Sequence, residues 1–181
     1  MHVRPTIEAF DRYLAERSLA LDAVVIGGAA LALLGVVSRT TDDCDVMHPT
    51  IAADIAAAAR AFAAARTDAG ELLAADWLNN GPASLARVLP AGWEDRLEPL
   101  FAGAALRLRC LGRADLLRSK LFALCDRALD LADCIALAPT RAEVQAVTGW
   151  LEQQDLNPAW PEHVRATLAD LARRLGHGVH A

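Results

Sequence analysis

The hydrophobic positions change rhythm several times along the chain, and each change marks an expected element. Ile7, Phe10 and Leu14 recur at helical spacing behind Pro5 and Thr6, which predicts a first amphipathic helix. "DAVVIGG" is a β-branched run ended by glycines, the pattern of a buried strand. "AALALLG" follows with helix-forming residues and a glycine stop, so a short helix is expected to start near Gly28. "SRTT" reads as a loop, and "DCDVM" alternates like a strand. "HPTIAADIAAAARAFAAAR" predicts a helix with Pro49 and Thr50 at its start. Residues 70–100, interrupted by prolines, glycines and asparagines, carry no readable period. Leu106, Leu108 and Cys110 then alternate with Arg107 and Arg109 as a half-buried strand. Leu117, Leu121, Leu124, Ala128, Leu131 and Ile135 step by four and three, which predicts one long helix over residues 115–137. Thr140 and Glu143 have capping-box spacing, and a last helix after Pro161 buries Val164, Leu168, Leu171 and Leu175 before Gly176 stops it.

This order predicts an α/β (α+β) protein, a small α/β front half followed by a helical C-terminal half. The expected organisation is an α/β core with its N-terminal helix over residues 1–112 and a helical part over 113–181 packed on it. A length of 181 residues suffices for a hydrophobic core without disulfides or a structural metal. The net charge of −5 argues against strong non-specific binding of nucleic acid, although residues 87–127 are locally basic. The longest apolar run, residues 23–37, is broken by Gly27, Gly28 and Gly35 and falls short of the about 20 residues a membrane helix needs. No membrane partner is therefore expected. Cys44, Cys110, Cys125 and Cys134 form no C-x-x-C pair; Cys44, Cys110 and Cys125 stand among apolar neighbours, and the N-terminus lacks a leader's apolar stretch. Buried free thiols suit a cytoplasmic protein.

The candidate chemistry gathers around two carboxylates. Residues i and i+2 of a strand share a face, so Asp43 and Asp45 would stand side by side while Cys44 and Val46 turn into the core and Asp42 is set aside. Adjacent carboxylates repel unless a cation or proton lies between them, which suits Mg²⁺. A calcium loop does not fit, because its glycine and bidentate glutamate positions fall on His48 and Asp54. The plain alternative is a solvated strand end. Gly27 and Gly28 join a strand to a helix start, where bare backbone can approach a phosphate; tight strand–helix packing explains them equally well. Arg39 and Thr41 precede the carboxylates, placed to grip a triphosphate and to orient an Asp, or Arg39 pairs with Asp42 or Asp43. Lys120 is the single lysine beside 17 arginines and has no acidic residue three or four positions away. It shares an edge of the long helix with Arg127, which has Asp130 within reach, whereas Asp126 and Asp133 are expected in solvent on the other edge. A snorkelling rim lysine is the plain alternative. His48 reads as structural, and His177 and His180 belong to the C-terminal tail.

The run Gly27-Gly28…Gly35…Arg39-x-Thr41-x-Asp43-x-Asp45 resembles the signature of the nucleotidyltransferase superfamily in its minimal form, and most of all its AbiEii-type toxin branch. "DLLRSKLFALCDRALDLADCIALAPT", residues 115–140, is similar to the helix of those relatives in which a lysine is followed by arginine and spaced aspartates. "DWLNN", residues 76–80, also resembles this branch. The resemblance implies a small mixed sheet flanked by helices, and Mg²⁺-dependent transfer of a nucleotide from an NTP to an acceptor hydroxyl. Asp43 and Asp45 would be the metal ligands and catalytic carboxylates, with Lys120 neutralising phosphate charge. Gly27 and Gly28 would bind the nucleotide, and Arg39, Thr41 and Arg127 are added to that set. The toxin branch further implies tRNA as a possible acceptor and an antitoxin protein as a partner. One feature departs from the family: the strand expected to hold a third carboxylate offers Arg107 and Arg109, which leaves Asp76 or Asp115 for that role, or a catalytically silent fold that binds nucleotides or proteins.

Overall fold

The β-branched run at residues 21–26 is buried because strands flank it on both sides. In the computed structural model, which describes residues 1–177, it forms β1 (Leu21–Ile26), with Ala23 to Val25 almost wholly buried. The chain divides into two compact units, Met1–Gly112 and Arg113–Ala181. The first holds a five-stranded mixed sheet in the order β3-β2-β1-β5-β4, formed by β1, β2 (Cys44–His48), β3 (Leu78–Asn79), β4 (Glu98–Ala102) and β5 (Leu106–Cys110). β1 runs antiparallel to β2 and parallel to β5, β3 lies parallel to β2, and β4 is antiparallel to β5. A central strand flanked on both sides reads as a continuous apolar run, which is why "AVVI" lacks alternation.

Three helices complete this unit: α1 (Val3–Ala15), α2 (Gly27–Leu33) and α3 (Ala53–Asp68). Phe10 of α1 and Phe62 of α3 meet Trp77 at ring-centroid distances of 5.1 and 5.9 Å, and the Trp77 indole donates to the Ala59 carbonyl. The buried Asp11 carboxylate accepts the backbone N–H groups of Ala104, Ala105 and Leu106 and so pins α1 to the start of β5. Two elements begin elsewhere than expected. α1 starts at Val3, with Pro5 still in its first turn, where no backbone donor is needed. α3 starts at Ala53, because Asn80 holds the Pro49 carbonyl and the Ile51 N–H in a non-helical loop. The unreadable stretch contains β3, β4 and two 3₁₀ turns, Ala83–Arg87 and Trp93–Arg96; β3 is two residues long, below the length at which a period can show.

The second unit is helical: α4 (Arg113–Arg127), α5 (Leu131–Ala136), α6 (Arg141–Leu151) and α7 (Trp160–Arg174). The expected long helix over 115–137 is thus two helices. Ala128 and Asp130 adopt positive φ values of 53° and 67° between them, and Ala128 and Ile135, expected in the stripe, are exposed. The capping box forms in full, with Thr140 accepting the Glu143 N–H and Glu143 accepting the Thr140 N–H. Val164, Leu168 and Leu171 of α7 are buried, and Gly176 follows at φ 72°. His180 lies outside the described residues. Among the described residues, no helix is long and apolar enough to cross a membrane.

Candidate functional site

β1 ends where its register places Ile26 opposite Asp45 of β2, so the next residue, Gly27, arrives beside that carboxylate. Gly27 has φ +73°, and a Cβ there would stand 2.6 Å from Asp45 Oδ2. Only a glycine combines that backbone with that approach. At Gly28 an added Cβ would meet Thr41 Oγ1 at 3.0 Å and an Arg39 guanidinium nitrogen at 3.7 Å. Thr41 Oγ1 in turn donates to Asp43 Oδ1 at 3.3 Å. Gly27, Gly28, Arg39, Thr41, Asp43 and Asp45, separated by up to 18 positions in sequence, therefore meet at one end of the sheet.

Asp43 sits one residue before β2 and not on it, as expected of a strand pair; β2 begins at Cys44, where pairing with β1 and β3 starts. The expected parity nonetheless holds: Asp43 and Asp45 are half-buried, Cys44 and Val46 fully buried, and Asp42 exposed. Burial, reinforced by the Asp45 and Asp43 charges, pushes the Cys44 thiol up to about 12.

The oxygen set suits Mg²⁺. Hard carboxylate oxygens from Asp43 and Asp45 match an ion that takes one or two carboxylates and completes its shell with water and substrate phosphates. The missing Cβ at Gly27 leaves room beside Asp45 Oδ2. Among the described residues no group of three or more His, Cys, Asp or Glu side chains gathers that could hold a metal ion.

Three residues of this region were not legible beforehand. Asn79 of β3 is register-matched with Asp45, Asn80 ties the loop after β2, and Gly81 makes the adjoining turn. Asn80 Nδ2 donates to the Val46 and Pro49 carbonyls at 2.9 and 3.0 Å, while its Oδ1 accepts the Ile51 N–H at 2.8 Å. "DWLNN" was visible as a string, but amide bonds spanning about thirty residues leave no periodic trace.

β5, parallel to β1, holds no acid. On β5, Arg107 and Arg109 reach Asp22 of β1 at 3.7 and 2.9 Å. Asp76 is exposed in the turn before β3. Asp115, in the second unit, is fully buried and accepts Arg118 at 2.8 Å.

Lys120 and Arg127 lie on α4 of the second unit. Lys120 is not left without counterions: its ammonium meets Asp133 at 2.8 Å and Asp130 at 3.2 Å. Asp133, expected in solvent, is 1% exposed. The helix break at residues 128–130 folds α5 back onto α4, so residues 10 and 13 positions away reach a lysine that has no partner on its own helix. Asp130 consequently faces Lys120, and exposed Arg127 pairs with Asp126 at 3.6 Å.

Neither the curated proteins nor the solved structures gave a match to this chain. A family model described as "Nucleotidyltransferase of unknown function (DUF6036)" matches residues 5–138. That span takes in the glycine pair, the Asp43–Asp45 carboxylates and the Lys120 helix, and the chain belongs to this nucleotidyltransferase family.

Proposed function

We propose that this protein transfers a nucleoside monophosphate from an Mg²⁺-bound NTP to an acceptor hydroxyl. The observation that carries the reading is the meeting of Gly27 with Asp45, at a distance that only a residue without a Cβ allows, with Gly28 close beside Thr41 and Arg39. Bare backbone, a guanidinium and two carboxylates within one patch suit a metal-bound triphosphate better than either a buried ion pair or a solvated strand end.

Mg²⁺ bound there would neutralise triphosphate charge and polarise the α-phosphate. Asp43 and Asp45 would hold the metal–triphosphate, with Thr41 fixing the rotamer of Asp43 through the 3.3 Å hydrogen bond. Gly27 and Gly28 let the phosphates approach the main chain, and Arg39 counters their charge. α2 has only seven residues, so its dipole adds little. The acceptor oxygen attacks the α-phosphorus, the bond to the bridging oxygen breaks, and pyrophosphate leaves with that electron pair while the hydroxyl proton goes to water. The resemblance adds a phosphate-binding role for Lys120 and Arg127 of α4; of the two carboxylates on Lys120, the 28%-exposed Asp130 is the one a phosphate would displace. The resemblance to the toxin branch favours tRNA as acceptor and an antitoxin as partner, and four buried thiols suit a cytoplasmic location.

Incubation with Mg²⁺, each labelled NTP and total RNA tests the transfer. Wild type should label RNA, and Asp43→Ala and Asp45→Ala should lose that label. Equal labelling by wild type and variants, or none by wild type, removes the enzyme reading. A second reading has its own observation, since β5 places Arg107 and Arg109 where many nucleotidyltransferases hold a third acid. A catalytically silent nucleotide-binding module would bind Mg·NTP in calorimetry and label nothing.

A further inference from the structure

Asn79 is the nearest side chain to Asp45 along the β3 edge, and nothing in the nucleotide-binding set accounts for it. Its in-register pairing with Asp45 puts both side chains on the same face of the sheet. One point beside Gly81, where a Cβ would fall, lies 2.9 Å from Asn79 Oδ1 and 3.8 Å from Asp45 Oδ1. Gly81 therefore lets the amide and the carboxylate converge. The Gly81 N–H donates to Asn79 Oδ1 at 2.7 Å, and a backbone donor can bond only to the oxygen end of the amide. That bond fixes which way the amide points. Its Nδ2 is left as a donor with no protein partner among the described residues, on a half-buried side chain beside the carboxylate.

We propose that Asn79 is a nucleotide-binding residue whose Nδ2–H₂ group donates to a non-bridging oxygen of the triphosphate held at Asp45. This rests on the nucleotide-binding reading above and adds a residue to it. A neutral amide suits the position: it gives the phosphate a directed donor without a cation that Asp45 would capture as an ion pair. The alternative role of cation ligand would fall to its oxygen, which already accepts the Gly81 N–H with one of its two lone pairs.

Asn79→Asp separates the possibilities. The variant has nearly the same shape and still offers Gly81 an acceptor, but replaces the donor by a negative oxygen. Calorimetry on the full chain would use Mg²⁺ with each of the four NTPs, Mg²⁺ with inorganic triphosphate, and Mn²⁺ alone. We expect Kd for the Mg·NTP that wild type binds, and for Mg·triphosphate, to rise at least about tenfold, as loss of a charge-assisted hydrogen bond implies. The melting temperature should stay at the wild-type value. Asn79→Ala should also weaken binding, but with a lower melting temperature, because it loses the Gly81 bond as well. Unchanged binding by Asn79→Asp, in a protein whose Asp45→Ala variant has lost binding, would make Asn79 a turn residue and overturn the proposal alone. Tighter Mn²⁺ binding with unweakened triphosphate would overturn it in favour of a cation ligand. Wild type that binds none of the probes would overturn the nucleotide reading, and this proposal with it.

Discussion

Two charged clusters sit in this chain, one in each unit, and they are built to different specifications. In the first unit, Asp43 and Asp45 stay half-buried, and three glycines keep the space around them clear of side chains. In the second unit, Lys120 is 6% exposed and closed in by Asp133 and Asp130. The difference shows how two polar clusters can serve different ends. A buried charge must carry its own counterion, because desolvation otherwise makes it neutral or unfolds its surroundings. A cluster that waits for a ligand can leave part of its hydration to water and keep room for the newcomer. An isolated lysine in an arginine-rich chain looked like a ligand-facing residue, yet its nearest chemistry is internal neutralisation.

The sharpest way to break this comparison is Lys120→Met. It takes the Lys120 ammonium away from buried Asp133 and should cost about 3–5 kcal/mol in a denaturant melt, part of it recovered by adding Asp133→Leu. A variant that melts like wild type but no longer binds Mg·NTP would place Lys120 with the ligand and not with the core. Next in size, Gly27→Ala should cost about 1–2 kcal/mol because its φ of +73° disfavours a side chain, and it should also weaken Mg·NTP binding by pushing Asp45 aside. Gly35→Ala is its control: φ is +75° but nothing lies within 4 Å, so stability should fall comparably while binding stays unchanged. If both variants bind alike, the space beside Asp45 has no role.

The smallest effect belongs to an exposed ion pair in the second unit. Arg113, helped by the Thr140 backbone N–H, draws the Glu143 carboxyl down from its ordinary 4.5 to about 2. A depressed carboxylate stabilises the fold above the ordinary value and loses that contribution as pH falls towards about 2. Glu143→Gln should therefore flatten the fall in melting temperature over that acid window. At neutral pH the wild-type contribution should shrink in high salt, unlike that of the buried Lys120 cluster.

Legibility followed the range of the interactions. The β1 run, the α2 stop at Gly35 and the Thr140–Glu143 cap depend on neighbours a few residues apart, and their pattern was plain in the string. The parity of Asp43 and Asp45 against Cys44 was equally readable, although Asp43 proved to lie just outside the strand. The break after Arg127 was not, because the apolar stripe continues straight through Ala128 and Leu131. An apolar period reports which residues would share a helix face, and it cannot register a backbone turn taken by residues at positive φ. Asn79 and Asn80 escape the pattern for a related reason. Asn80 hydrogen-bonds Val46, Pro49 and Ile51 far back in the chain, and the pairing of β3 with β2 is what sets Asn79 beside Asp45.

Composition and spacing by themselves determined a mixed α/β protein with a helical second half, a glycine pair, and two carboxylates on one side of a core strand. These follow from local sterics and from the period with which apolar residues repeat, which any short window contains. Tertiary structure alone decided that Gly27 abuts Asp45, that Thr41 holds Asp43, that Asn79 joins them, and that Lys120 is spoken for by Asp130 and Asp133. Those relations arise where separate strands and helices converge, and the strength of an ion pair or a hydrogen bond depends on distance and burial that chain order does not contain.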